Sequence, residues 1–441
     1  MSRGQSVNIR AMSNNRAEQV GYYRFLDNEN VMVSELVQSA AAHCQQQVEG
    51  LHVLAISDSS EINLQAQIKH LKGAGLGVVG NNQDVGFFLH PTLVANAENG
   101  FPLGLSTIQL WHRKRERPDK HQRCYPQLPI EEKESYKWLL ATERSQPGLV
   151  AGGVERVTYV GDREGDIYEA WARIPDAHTH LLVRACRDRR LQDSATMLYE
   201  TLSQQPCRGT YAVEVMADPR IGRRAREAWL AVRFTPVTIC RPKKVSAQDY
   251  PETVALYAVE AREVNPPAGE APIHWRLLTT HPVNTLEQAL QVIQWYRWRW
   301  RIEQLFAILK RVGLDLESTR LESVKAIERL SILALMVALR MLQLKEGRDD
   351  ETLSAAITFS ETQQQCLHQL APKLQGRTRK QQNPFASGSL PWASWLIARL
   401  GGWSGYRSQS PPGIRTLSQG LRKFEAIFEG WSLAQDLFVC T

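Results

Sequence analysis

Apolar residues along this chain gather in short blocks, most of them closed by a residue that stops a strand or starts a helix. Leu51 to Ile56 (LHVLAI) is followed by Ser57, Asp58, Ser59 and Ser60, which predicts a buried strand ending in a carboxylate. Val85 to Ala95 and Leu103 to Trp111 predict two further strands on either side of the turn-forming Glu98-Asn99-Gly100. Val157 to Val160 is again closed by a carboxylate, in Gly161-Asp162-Arg163, and His180 to Arg184 (HLLVR) reads as the next strand. Helices are predicted at Arg24 to Glu49, at Glu131 to Thr142, whose acidic residues come first, and at Ile167 to Ile174.

From 188 to 270 this alternation stops, with β-type runs at Tyr211 to Val215 and Trp229 to Phe234. Trp275 to Thr279 then resumes as a strand, so the stretch reads as an insertion within an α/β domain. Leu286 to Val312 contains no Pro or Gly and predicts one long helix, and Leu321 to Leu344 a second. Gly376 to Gly388 is basic and polar and reads as a loop. Leu417, Leu421, Phe424, Phe428 and Trp431 line one helical face near the C-terminus. The expected organisation is a remnant N-terminal region (1–50), a core in two parts (51–187 and 271–320) around a β-rich insertion (188–270), and a C-terminal helical region (321–441).

Composition narrows the class. With 43% hydrophobic and 22% charged residues, the 441-residue chain is globular rather than disordered, collagen-like or a coiled-coil rod. The strongly apolar stretch Ser331 to Leu344 is interrupted by Arg340 and falls short of the roughly 20 residues a membrane span needs. Met1 to Arg16 has no apolar signal region, and the seven cysteines are scattered without a CxxC, so a cytoplasmic, membrane-free protein is expected. The net charge of +7 points weakly to a polyanion. It is concentrated in 201–250 (+5), 291–320 (+3) and 370–382 (+4).

Asp58 and Asp162 stand where side chains project past a sheet edge. Each alone is more often a turn or cap residue, and Glu164 and Asp166 are decoys beside the second. Trp295 to Arg311 (WYRWRWRIEQLFAILKR) says more. At about 100° per residue, Tyr296, Arg299, Glu303 and Lys310 fall near about 0°, −60°, −20° and −40°, on one narrow face. Ile302, Leu305, Phe306 and Leu309 cluster on another flank. A solvated stripe is the bland reading, but Glu303 and Lys310 are not spaced for an i, i+4 pair. In the functional reading Arg299 and Lys310 clamp a phosphate. Asp58, Asp162 and Glu303 then give three hard oxygen donors suited to Mg2+ or Mn2+.

Tyr296, Arg299, Glu303 and Lys310 match a Y-(2)-R-(3)-E-(6)-K signature, and the chain resembles bacterial DDE transposases of the Tn-five type in the IS-four insertion-sequence group. Tyr23-Arg24-Phe25, Ile56-Ser57-Asp58, Glu132-Lys133-Glu134-Ser135, Gly161-Asp162-Arg163-Glu164, Val264-Asn265-Pro266-Pro267 and Leu390 to Gly402 extend the likeness over about 21–431. The resemblance implies an α/β fold with an RNase H-like core, a β-rich insertion and a C-terminal α-helical dimerisation region. It implies Asp58, Asp162 and Glu303 as catalytic metal ligands, with Tyr296, Arg299 and Lys310 on DNA phosphates. Trp275 would stack on a flipped base and Trp300 would probe the vacated stack; without the family, Trp275 reads as a core aromatic.

The implied reaction is Mg2+-dependent cut-and-paste transposition by a DNA-bound homodimer acting on double-stranded element ends and target DNA. Such transposases carry a helical DNA-binding segment before the YRF motif, and here 22 residues precede Tyr23. The expectation is therefore a chain shortened at its N-terminus. An alternative follows, in which it is catalytically idle and inhibits by dimerising with the full-length enzyme.

Overall fold

The computed structural model describes residues 7–72, 75–80, 82–114, 128–217, 222–406 and 408–439, which leaves Cys124 and Cys440 outside the described residues. Its strands are β1 (His52–Ser57), β2 (Ser60–Asn63), β3 (Gly77–Val79), β4 (Asp84–Asn96), β5 (Pro102–Trp111), β6 (Arg156–Gly161), β7 (Thr179–Arg184), β8 (Gly209–Val215), β9 (Arg226–Cys240), β10 (Thr253–Glu263) and β11 (His274–Thr279). The chain forms two compact units, one of residues 48–58 and 118–300, the other of 1–47, 59–117 and 301–441. The class is α/β, as expected.

In the unit formed by 48–58 and 118–300, the strand order is β1-β6-β7-β11-β10-β9-β8. β1, β6 and β7 run parallel, with Ile56 opposite Val160 and Val160 opposite Leu182. β1 and β6 are buried at every position after the first, which is why they read as continuous apolar runs rather than alternating ones. β11 joins β7 antiparallel, and β10, β9 and β8 follow as an antiparallel meander. The stretch 188–270 thus extends the same sheet. A buried charge in it, Glu260 on β10, is held by Arg233 at 3.3 Å, His274 at 2.8 Å and Arg276 at 3.4 Å. Burial works to raise its pKa, but the hydrogen bond from His274 and the Arg233 and Arg276 charges hold it low.

The helix Leu286–Trp298 belongs to this unit and starts at a capping box: Thr285 Oγ1 accepts from the Gln288 amide at 3.3 Å, and Gln288 Oε1 accepts from the Thr285 amide at 3.2 Å. Its Trp295 packs edge-on against His52 at 5.0 Å and tilted against His281 at 4.8 Å. Thr158 Oγ1 links the two imidazoles, at 2.8 Å from His52 Nε2 and 2.7 Å from His281 Nε2, and His180 stacks on His281 at 3.9 Å. Burial lowers the pKa of His52 to about 4 and of His281 to about 2, so the cluster is neutral.

In the other unit β2, β3 and β5 all pair with β4. The helix Val33–Gln45 lies close on β5, where a Cβ at Gly104 would collide with Cys44. The helix Val324–Glu346 is buried over much of its length, and its Arg329 donates to the carbonyls of Leu26 and Val31, both at 2.6 Å. Leu417, Leu421 and Phe424 of the C-terminal helix Ile414–Val439 are fully buried. Among the described residues no helix is long and apolar enough to cross a membrane.

Three expectations are corrected. The helix expected at Arg24 to Glu49 is two, Arg16–Asp27 and Val33–Gln45, with a break at 28–32 between them. The predicted helix Leu286–Val312 ends at Trp298; a second, Trp300–Ala307, follows after Arg299 and runs into a π-helical turn at Ile308–Val312. The wider π turn rotates Lys310 away from the angle a straight α-helix would give it. The helix expected at Glu131 to Thr142 starts only at Lys137 and continues to Ala151, after two short 3-10 turns.

Candidate active site

Asp58 and Asp162 follow directly on β1 and β6. Because those strands are parallel neighbours in register, continuing the pairing Ile56 to Val160 by two residues sets Asp58 opposite Asp162. Two carboxylates so placed repel unless cations or a metal compensate. Arg299 Nη1 donates to Asp58 Oδ2 at 2.7 Å, with the two side chains only 10% and 19% exposed. Asp162 instead caps the turn Arg163–Gly165, accepting from the Glu164 amide at 2.8 Å.

Tyr296 completes the group. Burial pushes its phenol pKa up; the guanidiniums of Arg299 and Arg184 and a hydrogen bond from Arg299 work the other way, while the Asp162 charge adds to the rise. Arg299 lies 5.8 Å from the ring centroids of both Tyr296 and Trp300, so its guanidinium is flanked by two aromatic faces. Trp275, on β11, meets Tyr296 edge-on at 6.3 Å and is half-buried, whereas Trp300 is 56% exposed. Asp58, Asp162, Tyr296, Arg299, Trp275 and Trp300 therefore all belong to one unit.

Glu303 and Lys310 belong to the other. Glu303 is half-buried on the helix Trp300–Ala307, one turn beyond Arg299 in sequence. Ile302, Leu305, Phe306 and Leu309 are buried, as their common flank predicts. Lys310 pairs with Glu317 at 3.0 Å and donates to the carbonyl of Glu61 at 2.8 Å. Among the described residues no group of three His, Cys, Asp or Glu side chains is gathered to hold a metal ion.

Sequence reasoning missed Arg184. It ends β7, the third parallel strand, where it adds a cation beside Tyr296 and donates to the His274 carbonyl at 2.9 Å. Its position mirrors those of the two aspartates, and a charged residue closing HLLVR was the signal available. The decoys have partners of their own. Glu164 pairs with Lys137 at 2.9 Å, and the buried Asp166 pairs with Arg189 and accepts from the amides of Cys186 at 2.9 Å and Arg187 at 3.3 Å.

A family model described as Transposase DDE domain matches residues 108–340, more than half of the chain. The chain belongs to the DDE transposase family. Asp162, Trp275, Tyr296, Arg299, Trp300, Glu303 and Lys310 of this transposase lie inside the match, and Asp58 precedes it. The α/β architecture, with its large mixed sheet and C-terminal helices, is that of an RNase H-like DDE transposase. The family acts on DNA and generally uses divalent metal ions. The donor chemistry here fits such an ion: the paired groups are carboxylate oxygens, with no thiolate or imidazole among them.

Proposed function

We propose that this protein is a cut-and-paste DNA transposase of the Tn-five type, in the IS-four group, acting on double-stranded element ends and then on target DNA. The observation that carries the reading is the placing of Asp58 and Asp162 side by side at the ends of two parallel strands, with Arg299 bonded to Asp58. Asp58, Asp162 and Glu303 would hold Mg2+, or Mn2+ in its place. Bound there, the ion would activate an attacking oxygen and stabilise the leaving one in phosphodiester chemistry.

The remaining roles fall to side chains of this chain. Arg299 and Lys310 bind phosphate oxygens, one as a planar fork and one as a point charge, and the Tyr296 hydroxyl donates a third bond. Arg299 can swing from Asp58 to a phosphate between its two aromatic walls. Trp275 presents an indole on which an extruded base can stack, and the exposed Trp300 is suited to enter the gap such a base leaves. The successive reactions are nicking, hairpin formation, hairpin opening and strand transfer. Each is an in-line transfer at one phosphate, so a single set of residues serves all four. The region 321–441 is assigned to dimerisation.

The test uses Asp162→Asn and Glu303→Ala with element-end DNA and Mg2+. Strand cleavage should fall below detection in both, while DNA affinity in a gel-shift titration changes less than about threefold. Equal loss of binding and cleavage would make these residues structural and remove them from the active site.

A further inference from the structure

Beside Asp162 the unit formed by 48–58 and 118–300 carries an open groove of about 590 Å³ that the roles above do not use. Among the described residues six cations line it against four carboxylates. Two of those carboxylates are neutralised in place, Glu164 by Lys137 and Asp166 by Arg189. Lys133, Arg163, Arg187 and Lys244 have no ion-pair partner among the described residues; Lys133 is half-buried and the other three are exposed. Glu134 and Glu169 complete the acidic lining, and Glu169 is only 8% exposed. The surface offered to a ligand is thus dominated by four cations.

These cations are held in place by the fold. Arg163 directly follows Asp162 and sits in the turn that Asp162 caps. Arg187 is presented by a loop pinned through its own amide and that of Cys186 to the buried Asp166. Lys133 links the two 3-10 turns before the helix Lys137–Ala151. Among the described residues no Asn or Gln, the amide side chains that most often read adenine, lines the groove. Lysine and arginine side chains facing a duplex backbone bind its phosphates whatever the sequence.

We propose that this groove binds the phosphate backbone of target DNA. The inference rests on the transposase reading, in which the element end occupies the Tyr296 and Arg299 side and a second duplex of unfixed sequence must approach the same phosphate-transfer centre. A groove that begins one residue from Asp162 and is dominated by cations fits that second duplex.

The test is the double variant Lys133→Gln with Lys244→Gln, in two assays. With a duplex lacking element sequences, the plot of log binding constant against log salt should become shallower by about 1.8, since each lost phosphate contact removes about 0.9. With pre-cut element ends and a supercoiled plasmid, joining should fall at least tenfold relative to cleavage of uncut ends. An unchanged salt slope with unchanged joining overturns the groove while leaving the transposase reading intact. Equal loss of cleavage and joining also overturns it, by assigning the groove to the element end. Wild-type protein that neither cuts nor joins DNA would defeat the underlying reading itself.

Discussion

Arg299 is where two demands meet. Its bond to Asp58 offsets the repulsion between that carboxylate and Asp162, yet a metal ion needs the same oxygens. Removing the guanidinium should therefore favour metal in the absence of DNA. In a thermal melt, Arg299→Gln should reach half its Mn2+-induced shift at a concentration at least tenfold below wild type, whereas Arg299→Lys should stay near wild type. The pairing was not legible in the sequence, because 241 residues separate the partners. The strand-end aspartates were legible, since each closes an apolar run.

A second residue-scale prediction concerns pH. His52 and His281 are depressed in the folded state to about 4 and about 2 by burial, so below about 6.5 the unfolded chain binds protons that the folded chain refuses. Stability should be full above that pH and fall steadily as pH drops toward 4. Urea midpoints measured from pH 7 to 4.5 should show the decline, and His52→Gln with His281→Gln should flatten it. Because Trp295 packs on both rings, its fluorescence should report the same transition.

At the scale of elements, strands that bury both faces announced themselves, whereas strands created by their partners did not. β2 (SEIN) and β3 (GVV) are four and three residues long and exist through pairing with β4. β10 was hidden by its charges: Glu260 and Glu263 break the apolar pattern of TVALYAVEARE, and the cations that make them tolerable come from β9 and β11. Between the helices Leu390–Leu400 and Ile414–Val439, glycines set the approach. A Cβ at Gly420 would overlap the Ile397 carbonyl, and one at Gly401 the Thr416 carbonyl. Gly420→Ala should cost about 1–3 kcal/mol of unfolding free energy in denaturant titration, by forcing these helices apart. An unchanged midpoint would mean that the pair can slide without loss.

At the scale of the whole molecule, the proposed dimer places its demand on the C-terminal helix. Leu417, Leu421 and Phe424 are spent inside the fold, while Ile427 and Leu433 are 37% and 60% exposed. Ile427→Glu with Leu433→Glu should leave the monomer folded and prevent a two-protein complex on end DNA, measured as mass by light scattering. A dimer of undiminished affinity would move the interface elsewhere.

The division of the chain between its units sets an order of events during synthesis. The unit with Asp58, Asp162, Tyr296 and Arg299 is made of residues up to 300, so all of it is available as soon as that residue clears the ribosome. The other unit must keep its first 47 residues waiting: Leu26 and Val31 receive their bonds from Arg329, 303 and 298 residues downstream. At about 5–20 residues per second, that wait lasts on the order of 15 seconds to a minute. Nascent chains stalled near position 335 should accordingly protect the β1–β6 segment from protease while the helices before Gln47 are still cut.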